Sequence, residues 1–219
     1  MPGKLIAPEN LVLPNWALRE NGVSHETLEK LQTYYSLLRK WQATINLVGQ
    51  STLPEAGIRH FSDSLQILLL IPAGAKTLYD LGSGAGFPGL VLAIARPDLS
   101  VHLIESDQRK SAFLRSVSRE TLTPVIVHND RVQNVDIKES IPDVVTARAL
   151  ADLKSLLALT RLWWKENPQL VFIFPKGGKA DGEIEDARKD FQFDLDAAPS
   201  QTDTDARILV IKNVKDSCE

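Results

Sequence analysis

Three glycines alternate directly behind a carboxylate in Asp80-Leu81-Gly82-Ser83-Gly84-Ala85-Gly86-Phe87-Pro88-Gly89. Glycines so placed let a backbone turn tightly and approach a ligand closely, and three of them exceed what a turn alone requires. Glu105 stands 19 residues beyond Gly86. A carboxylate at that distance can accept both hydroxyl hydrogens of a ribose. Asp130 could reach an adenine amino group. Arg148 and Lys176 supply cations able to grip an oxygen-rich edge. His60 and Asp63 lie three apart and can share one helix face, as a substrate-facing pair or as a structural hydrogen bond. His25, His60, His102 and His128 lack metal-ligand spacing, so no metal is expected. Trp163-Trp164 could stack bases, although a core position suits them better. Tyr34 and Tyr35 also read as core.

These residues must be held by elements the periodicity reveals. Leu28, Leu31, Tyr34, Tyr35, Leu38 and Trp41 recur at steps of three or four, predicting an amphipathic helix over 26–41 capped by Ser24 or His25. A second helical run covers 62–70 and stops before Pro72. No strand signal precedes residue 76. Strands are then expected at 76–81, 100–105, 124–128, 142–147 and 169–174. Helices are expected between them at 87–96, 108–120 and 152–165. Apolar strands alternating with helices mean a parallel sheet covered on both faces. After a helix near 180–189, runs at 190–195 and 206–212 suggest a terminal antiparallel hairpin. The expected organisation is a helical extension over 1–75 and a Rossmann-like core over 76–219, forming a seven-stranded, mostly parallel α/β sheet.

The 219 residues, 43% hydrophobic and 24% charged, suit one ordinary globular unit. No run approaches the ~20 apolar residues of a membrane helix, and the start shows no signal-peptide pattern. Cys218 is the single cysteine, so no disulfide is expected within the chain. A reducing, cytoplasmic setting follows as an expectation. The net charge of −3 does not advertise a nucleic-acid binder. Its distribution is uneven, because residues 181–205 carry −7 and the remainder +4. A basic face beside an acidic one is compatible with that division.

Two cofactors fit the glycine loop. Gly84-x-Gly86-x-x-Gly89 formally matches a dinucleotide fingerprint. S-adenosylmethionine is favoured on three grounds. The tighter Gly82-x-Gly84-x-Gly86 spacing follows Asp80, and an acid there suits a cationic, amino-acid-bearing ligand better than a pyrophosphate. The first core strand starts only near residue 77, behind a helical extension. The terminal hairpin is also the usual end of a methyltransferase sheet.

The chain resembles the bacterial 16S ribosomal RNA guanine-N7 methyltransferases, the glucose-inhibited division protein B family (GidB, or RsmG). Residues 28–212 carry the resemblance. Trp41-x-x-x-x-Asn46-Leu47-Val48 is similar to the family's Trp…Asn-Leu-Thr segment, with valine for threonine. Arg59-His60-Phe61-Ser62-Asp63-Ser64 resembles its Arg-His-x-x-Asp-Ser motif. The glycine loop through Pro88-Gly89, Glu105-Ser106-Asp107-x-x-Lys110, Thr146-Ala147-Arg148-Ala149, Pro175-Lys176-Gly177 and Arg207-x-Leu209-Val210-Ile211-Lys212 continue the match in order. Arg131-Val132-Gln133 departs by a glutamine where the family usually has glutamate.

The resemblance implies methylation of guanine N7 in the 530 loop of 16S rRNA, expected at position 527, on the RNA or an assembling small subunit. The enzyme is expected to be a monomer. Cofactor contacts fall to Asp80, Gly82, Ser83, Gly84, Gly86, Phe87, Glu105, Ser106, Asp130, Arg131, Val132, Gln133 and Arg148. RNA contacts fall to Asn46, His60, Asp63, Arg148, Lys176 and Arg207, with Arg148 and Lys176 as the catalytic candidates. Guanine N7 offers a lone pair and no proton, so no general base is needed. A cation beside it opposes the charge N7 gains, so its use must lie in orientation and phosphate contact. Arg148 could instead be a structural ion pair, and Arg207 a solvated surface charge.

Overall fold

A computed structural model describes residues 7–217. Cys218 and residues 1–6, on which the cysteine and leader readings partly rest, lie outside the described residues. Short helix α1 (Asn15–Arg19) leads into α2 (His25–Gln42). Ser24 caps α2, its Oγ accepting the Thr27 N–H at 3.1 Å. The expected run at 62–70 belongs to a longer helical segment over 57–70. It opens as a π-turn over Gly57–Ser62, passes through α3 (Asp63–Leu65) and ends as a 3₁₀ turn over Gln66–Leu70. Ser62 Oγ bonds the Gly57 carbonyl, five residues back, within the widened turn.

Then β1 (Thr77–Leu81), α4 (Gly89–Ala95), β2 (Ser100–Ile104), α5 (Gln108–Glu120), β3 (Ile126–His128) and β4 (Val144–Ala147) follow. Helices α6 (Leu153–Leu159) and α7 (Arg161–Glu166) replace the single helix expected over 152–165. The break falls at Thr160, whose hydroxyl bonds back to the Leu156 carbonyl at 2.8 Å, a local alternative that disturbs helices. Strand β5 (Val171–Lys176), α8 (Ala180–Ala187), β6 (Phe191–Pro199) and β7 (Arg207–Asp216) complete the chain.

The sheet order is β3-β2-β1-β4-β5-β7-β6. Neighbours from β3 to β5 pair in parallel, and β7 pairs antiparallel with both β5 and β6. Two apolar clusters flank it. One joins Leu31, Tyr34, Phe61 and Leu65 of the N-terminal helices to Val91, Leu103 and Phe113. The other joins Tyr79, Val145 and Phe172 to Leu156, Trp163 and Ala187. Leu31, Tyr34, Leu38, Phe61 and Leu65 are fully buried, each stabilising the docking by roughly 1.5–3 kcal/mol. The N-terminal helices are thus welded to one face of the sheet, and their inner ends reach the loop after β1.

Candidate active site

The loop after β1 is pinned from below. Asp80 is fully buried and accepts Thr146 Oγ1 at 3.0 Å and the Gly89 N–H at 3.2 Å. Burial pushes its carboxyl up to about 6. The carboxylate holds the loop to β4 and to the start of α4, and it lines neither large cavity at the sheet rim. Ser83 is also buried, with Oγ on the Asp80 carbonyl at 2.9 Å. Gly86 has φ +92°, and a Cβ there would come within 2.7 Å of Tyr34 Oη and 2.9 Å of Leu90 Cβ. Only glycine fits. The Tyr34 hydroxyl donates to the Ala85 carbonyl, so α2 reaches directly into the loop.

Glu105 follows β2. Its Oε2 accepts the Gly84 N–H at 2.8 Å and its Oε1 accepts the Asp107 N–H at 2.7 Å. A carboxylate has about four acceptor positions, so capacity remains for hydroxyl groups. Asn129 bonds the carbonyls of Glu105 and Ser106 at 3.0 and 3.1 Å, fixing that turn. A cavity of about 460 Å³ opens here. Gly82, Gly84, Glu105, Ser106, Asp130, Arg131, Val132 and Gln133 line it, with Ile104, Leu150 and Leu159 as apolar walls. Asp130 accepts its neighbour's N–H and Asn134 Nδ2, both at 2.7 Å and both on Oδ1. These two bonds hold its carboxyl below the usual range, Asn134 contributing most.

A second cavity, of about 530 Å³, adjoins the first: Ala149 and Ala151 line both. Arg148 leaves β4 into this second space. Its Nη1 reaches the Arg59 carbonyl at 3.1 Å and Asp63 Oδ2 at 3.3 Å, and its Nη2 reaches His60 Nδ1 at 3.1 Å. The guanidinium sits 5.2 Å from the Phe87 ring centre, a cation–π distance. With Nδ1 accepting from Arg148, His60 carries its proton on Nε2 and donates to Thr52 Oγ1 at 2.9 Å. Burial, with the charges of Arg148 and Arg59, lowers His60 to about 3. His60 is therefore neutral at physiological pH, and its ring stacks on Phe87 at 5.1 Å.

Asp63 is itself fixed, Oδ1 accepting Thr202 Oγ1 at 2.7 Å and Gln66 Nε2 at 2.9 Å. Lys176, at the end of β5, puts Nζ 2.7 Å from the Ala151 carbonyl and 2.8 Å from Glu183 Oε2. That same oxygen accepts the Leu153 N–H at 2.9 Å. Lysine and glutamate together brace the segment shared by the two cavities.

The structure therefore divides the residues read from the sequence. The first cavity gathers the two outer-loop glycines, Glu105, Ser106 and the 130–133 segment. Asp80, Ser83, Gly86 and Phe87 line neither cavity, and Arg148 lines the second. His60, Asp63, Arg148 and Lys176 meet there. Asn46 is exposed beside that cavity, which its neighbours Leu47, Val48 and Gly49 line. Arg207 lines neither space and makes a two-toothed ion pair with exposed Asp181 at 2.7 and 2.9 Å. Trp163 and Trp164 are core, as expected. Tyr34, Thr52, Thr202 and Glu183 were not signalled. Tyr34 read as core, which it is, and its helical periodicity hides the polar tip.

A glycine loop after the first strand, a carboxylate after the second, a cavity between them and a β7 inserted beside β5 define a class I S-adenosylmethionine-dependent methyltransferase. The cavity suits the cofactor. Its acid, Glu105, keeps acceptor capacity for hydroxyl groups, and Ile104, Val132 and Leu159 give an apolar wall suited to a flat base. A family model described as rRNA small subunit methyltransferase G matches residues 27–207, and the chain belongs to that family. Two relatives bear the name Ribosomal RNA small subunit methyltransferase G. That of Paramagnetospirillum magneticum is 48% identical, covering 92% of this chain and 96% of its own. That of Rhodospirillum centenum is 47% identical, covering 88% and 87%. Among solved structures, a mutant of MtNAS in complex with S-adenosylmethionine shares the fold. The TM-score is 0.55 at 13% identity, over 88% of this chain and 73% of that one.

Proposed function

We propose that the chain methylates N7 of a guanine in the 530 loop of 16S rRNA, within the RNA or an assembling small subunit, acting as a cytoplasmic monomer. S-adenosylmethionine, when bound, supplies an electrophilic methyl group. Gly82, Gly84, Glu105, Ser106 and the 130–133 segment would hold it in the first cavity. The target base would enter the second, so Ala149 and Ala151 lie where donor and acceptor meet.

The observation that carries this reading is the chemistry of the second cavity's wall. His60 has its Nδ1 lone pair committed to Arg148, and Asp63 is committed to Arg148, Gln66 and Thr202. Neither is free to abstract a proton. An acceptor such as guanine N7 has none to lose. Two of the cations on this wall are also compensated, Arg148 by Asp63 and Lys176 by Glu183. A balanced guanidinium can orient a guanine edge without opposing the positive charge that N7 acquires. Catalysis by positioning follows. Membership in a family named for rRNA supports the substrate class. Among the described residues no helix is long and apolar enough to cross a membrane.

The test is methyl transfer from labelled cofactor to small subunits of a strain lacking this protein, with the modified base mapped. Label on a single guanine of the 530 loop, cleavable by N7-specific chemistry, is expected. Label on another base, or on protein alone, would overturn the reading.

A further inference from the structure

Four basic side chains line the second cavity: Arg59, His60, Arg148 and Lys176. His60 is neutral for the reasons above. Arg148 and Lys176 are held by carboxylates at 3.3 and 2.8 Å. Arg59 differs. It is exposed, and among the described residues no carboxylate pairs with it. Its backbone carbonyl anchors Arg148, while its charge is felt at His60, whose protonation it disfavours. It also stands at a boundary. Arg59 and Thr202 line both this cavity and a neighbouring groove of about 320 Å³. That groove is lined by Leu11, Val12, Pro54 and Ile58 together with one carboxylate, Glu55; Val12 and Ile58 are substantially exposed.

Resting on the proposed RNA substrate, we propose that Arg59 anchors a phosphodiester of the RNA strand where it leaves the acceptor cavity for this groove. A base inserted in the cavity must trail its backbone across the rim. An uncompensated guanidinium on that rim can form two parallel charge-assisted bonds to a phosphate without first breaking an ion pair. Arg148 and Lys176 would have to give up Asp63 and Glu183 to do the same. The adjoining groove then accommodates the next nucleotide against Ile58 and Val12. Arg59 is thus a substrate-binding residue that supplies affinity, while Arg148 supplies aim.

The experiment measures binding of the full-length protein to unmethylated small subunits across a salt series. Arg59→Ala should weaken binding and reduce the slope of log affinity against log salt by about 0.7–0.9, the value for one lost phosphate contact. Arg59→Lys should restore most of the slope, because charge is the cause. Ile58→Asp should weaken binding through repulsion of the strand in the groove. S-adenosylhomocysteine affinity, read by calorimetry, should stay at the wild-type value in all three and reports that they are folded. An unaltered affinity and slope in Arg59→Ala would overturn the anchor. Unaltered binding by Ile58→Asp would overturn the path. If the wild-type protein labels the RNA while Arg59→Ala binds normally, only this inference fails. If the wild-type protein neither binds nor labels the RNA, the proposed substrate fails with it.

Discussion

Replacing Asp63 by asparagine removes one charge from the wall of the second cavity while keeping the shape of the side chain. Asp63 Oδ2 and Arg148 Nη1 are 3.3 Å apart, with 17% and 21% of their side chains exposed. Two unit charges at that distance attract by about 5 kcal/mol at an effective dielectric of about 20. Desolvation of both groups cancels much of this. Arg148 also retains the Arg59 carbonyl and His60 Nδ1 as acceptors, and an amide oxygen can still serve Thr202 and Gln66. The net loss should be about 2 kcal/mol, below the 3–5 kcal/mol of a fully buried pair deprived of one partner. For a chain of this length that corresponds to a melting point lower by roughly 4–8 °C. With one of its three acceptors gone, the guanidinium is less firmly directed over Phe87. Turnover on small subunits should then fall about 10- to 100-fold, the scale of a misplacement near 1 Å. S-adenosylhomocysteine affinity should hold, because Asp63 lines the second cavity and not the first. Thermal unfolding, labelled methyl transfer and calorimetry measure the three effects. A variant with unchanged melting and unchanged turnover would refute the assignment of Asp63 as the residue that aims Arg148.

Other substitutions separate the loop from its contents. Glu105→Ala removes the acceptor of the Gly84 N–H and, with it, the acceptor proposed for the ribose; calorimetry should show S-adenosylhomocysteine affinity reduced at least tenfold, and full affinity would remove Glu105 from the site. Gly86→Ala forces a Cβ to within 2.9 Å of Leu90 Cβ at φ +92°, so denaturant unfolding should show a loss of about 2 kcal/mol or more; a neutral result would mean the loop is not held as described. Lys176→Ala frees the Ala151 carbonyl and leaves Glu183 without its cation, so turnover should fall further than cofactor affinity does; wild-type turnover would exclude Lys176 from the reaction. Acid stability should also report His60. Its native value of about 3 lies below its ordinary 6.5, so as pH falls through 6.5 the unfolded chain gains a proton the native state refuses, and stability drops until about 3. Asp80, raised to about 6, works oppositely, its contribution being present below about 3.8 and lost as pH rises through 6. His60→Gln should therefore lose less stability than wild type between pH 7 and 4.5 in urea titrations, and an identical loss would contradict the buried neutral imidazole.

The sequence by itself determined what depends on short stretches of chain. The strand–glycine–helix turn at 77–95, the carboxylate at the end of β2 and the capped helices at 25–42 and 108–120 are local. Their alternation, propensity and caps act over a few residues and outweigh other options. The terminal hairpin was legible for the same reason, although its strands run longer than the apolar periodicity indicates, Phe191–Pro199 and Arg207–Asp216. Sequence spacing could not decide which polar residues face a ligand. Asp80 and Glu105 both flank the glycine loop, yet one is sealed beneath it by Thr146 and the other opens to a cavity. The difference lies in β1–β4 register, which brings Thr146 opposite Asp80 from 66 residues away. Tertiary packing alone also set Tyr34 on the Ala85 carbonyl, Thr202 on Asp63 and Glu183 on Lys176. Each joins segments that no local periodicity links, and each forms only once the docked helices and the closed sheet have met the entropic cost of bringing distant chain together.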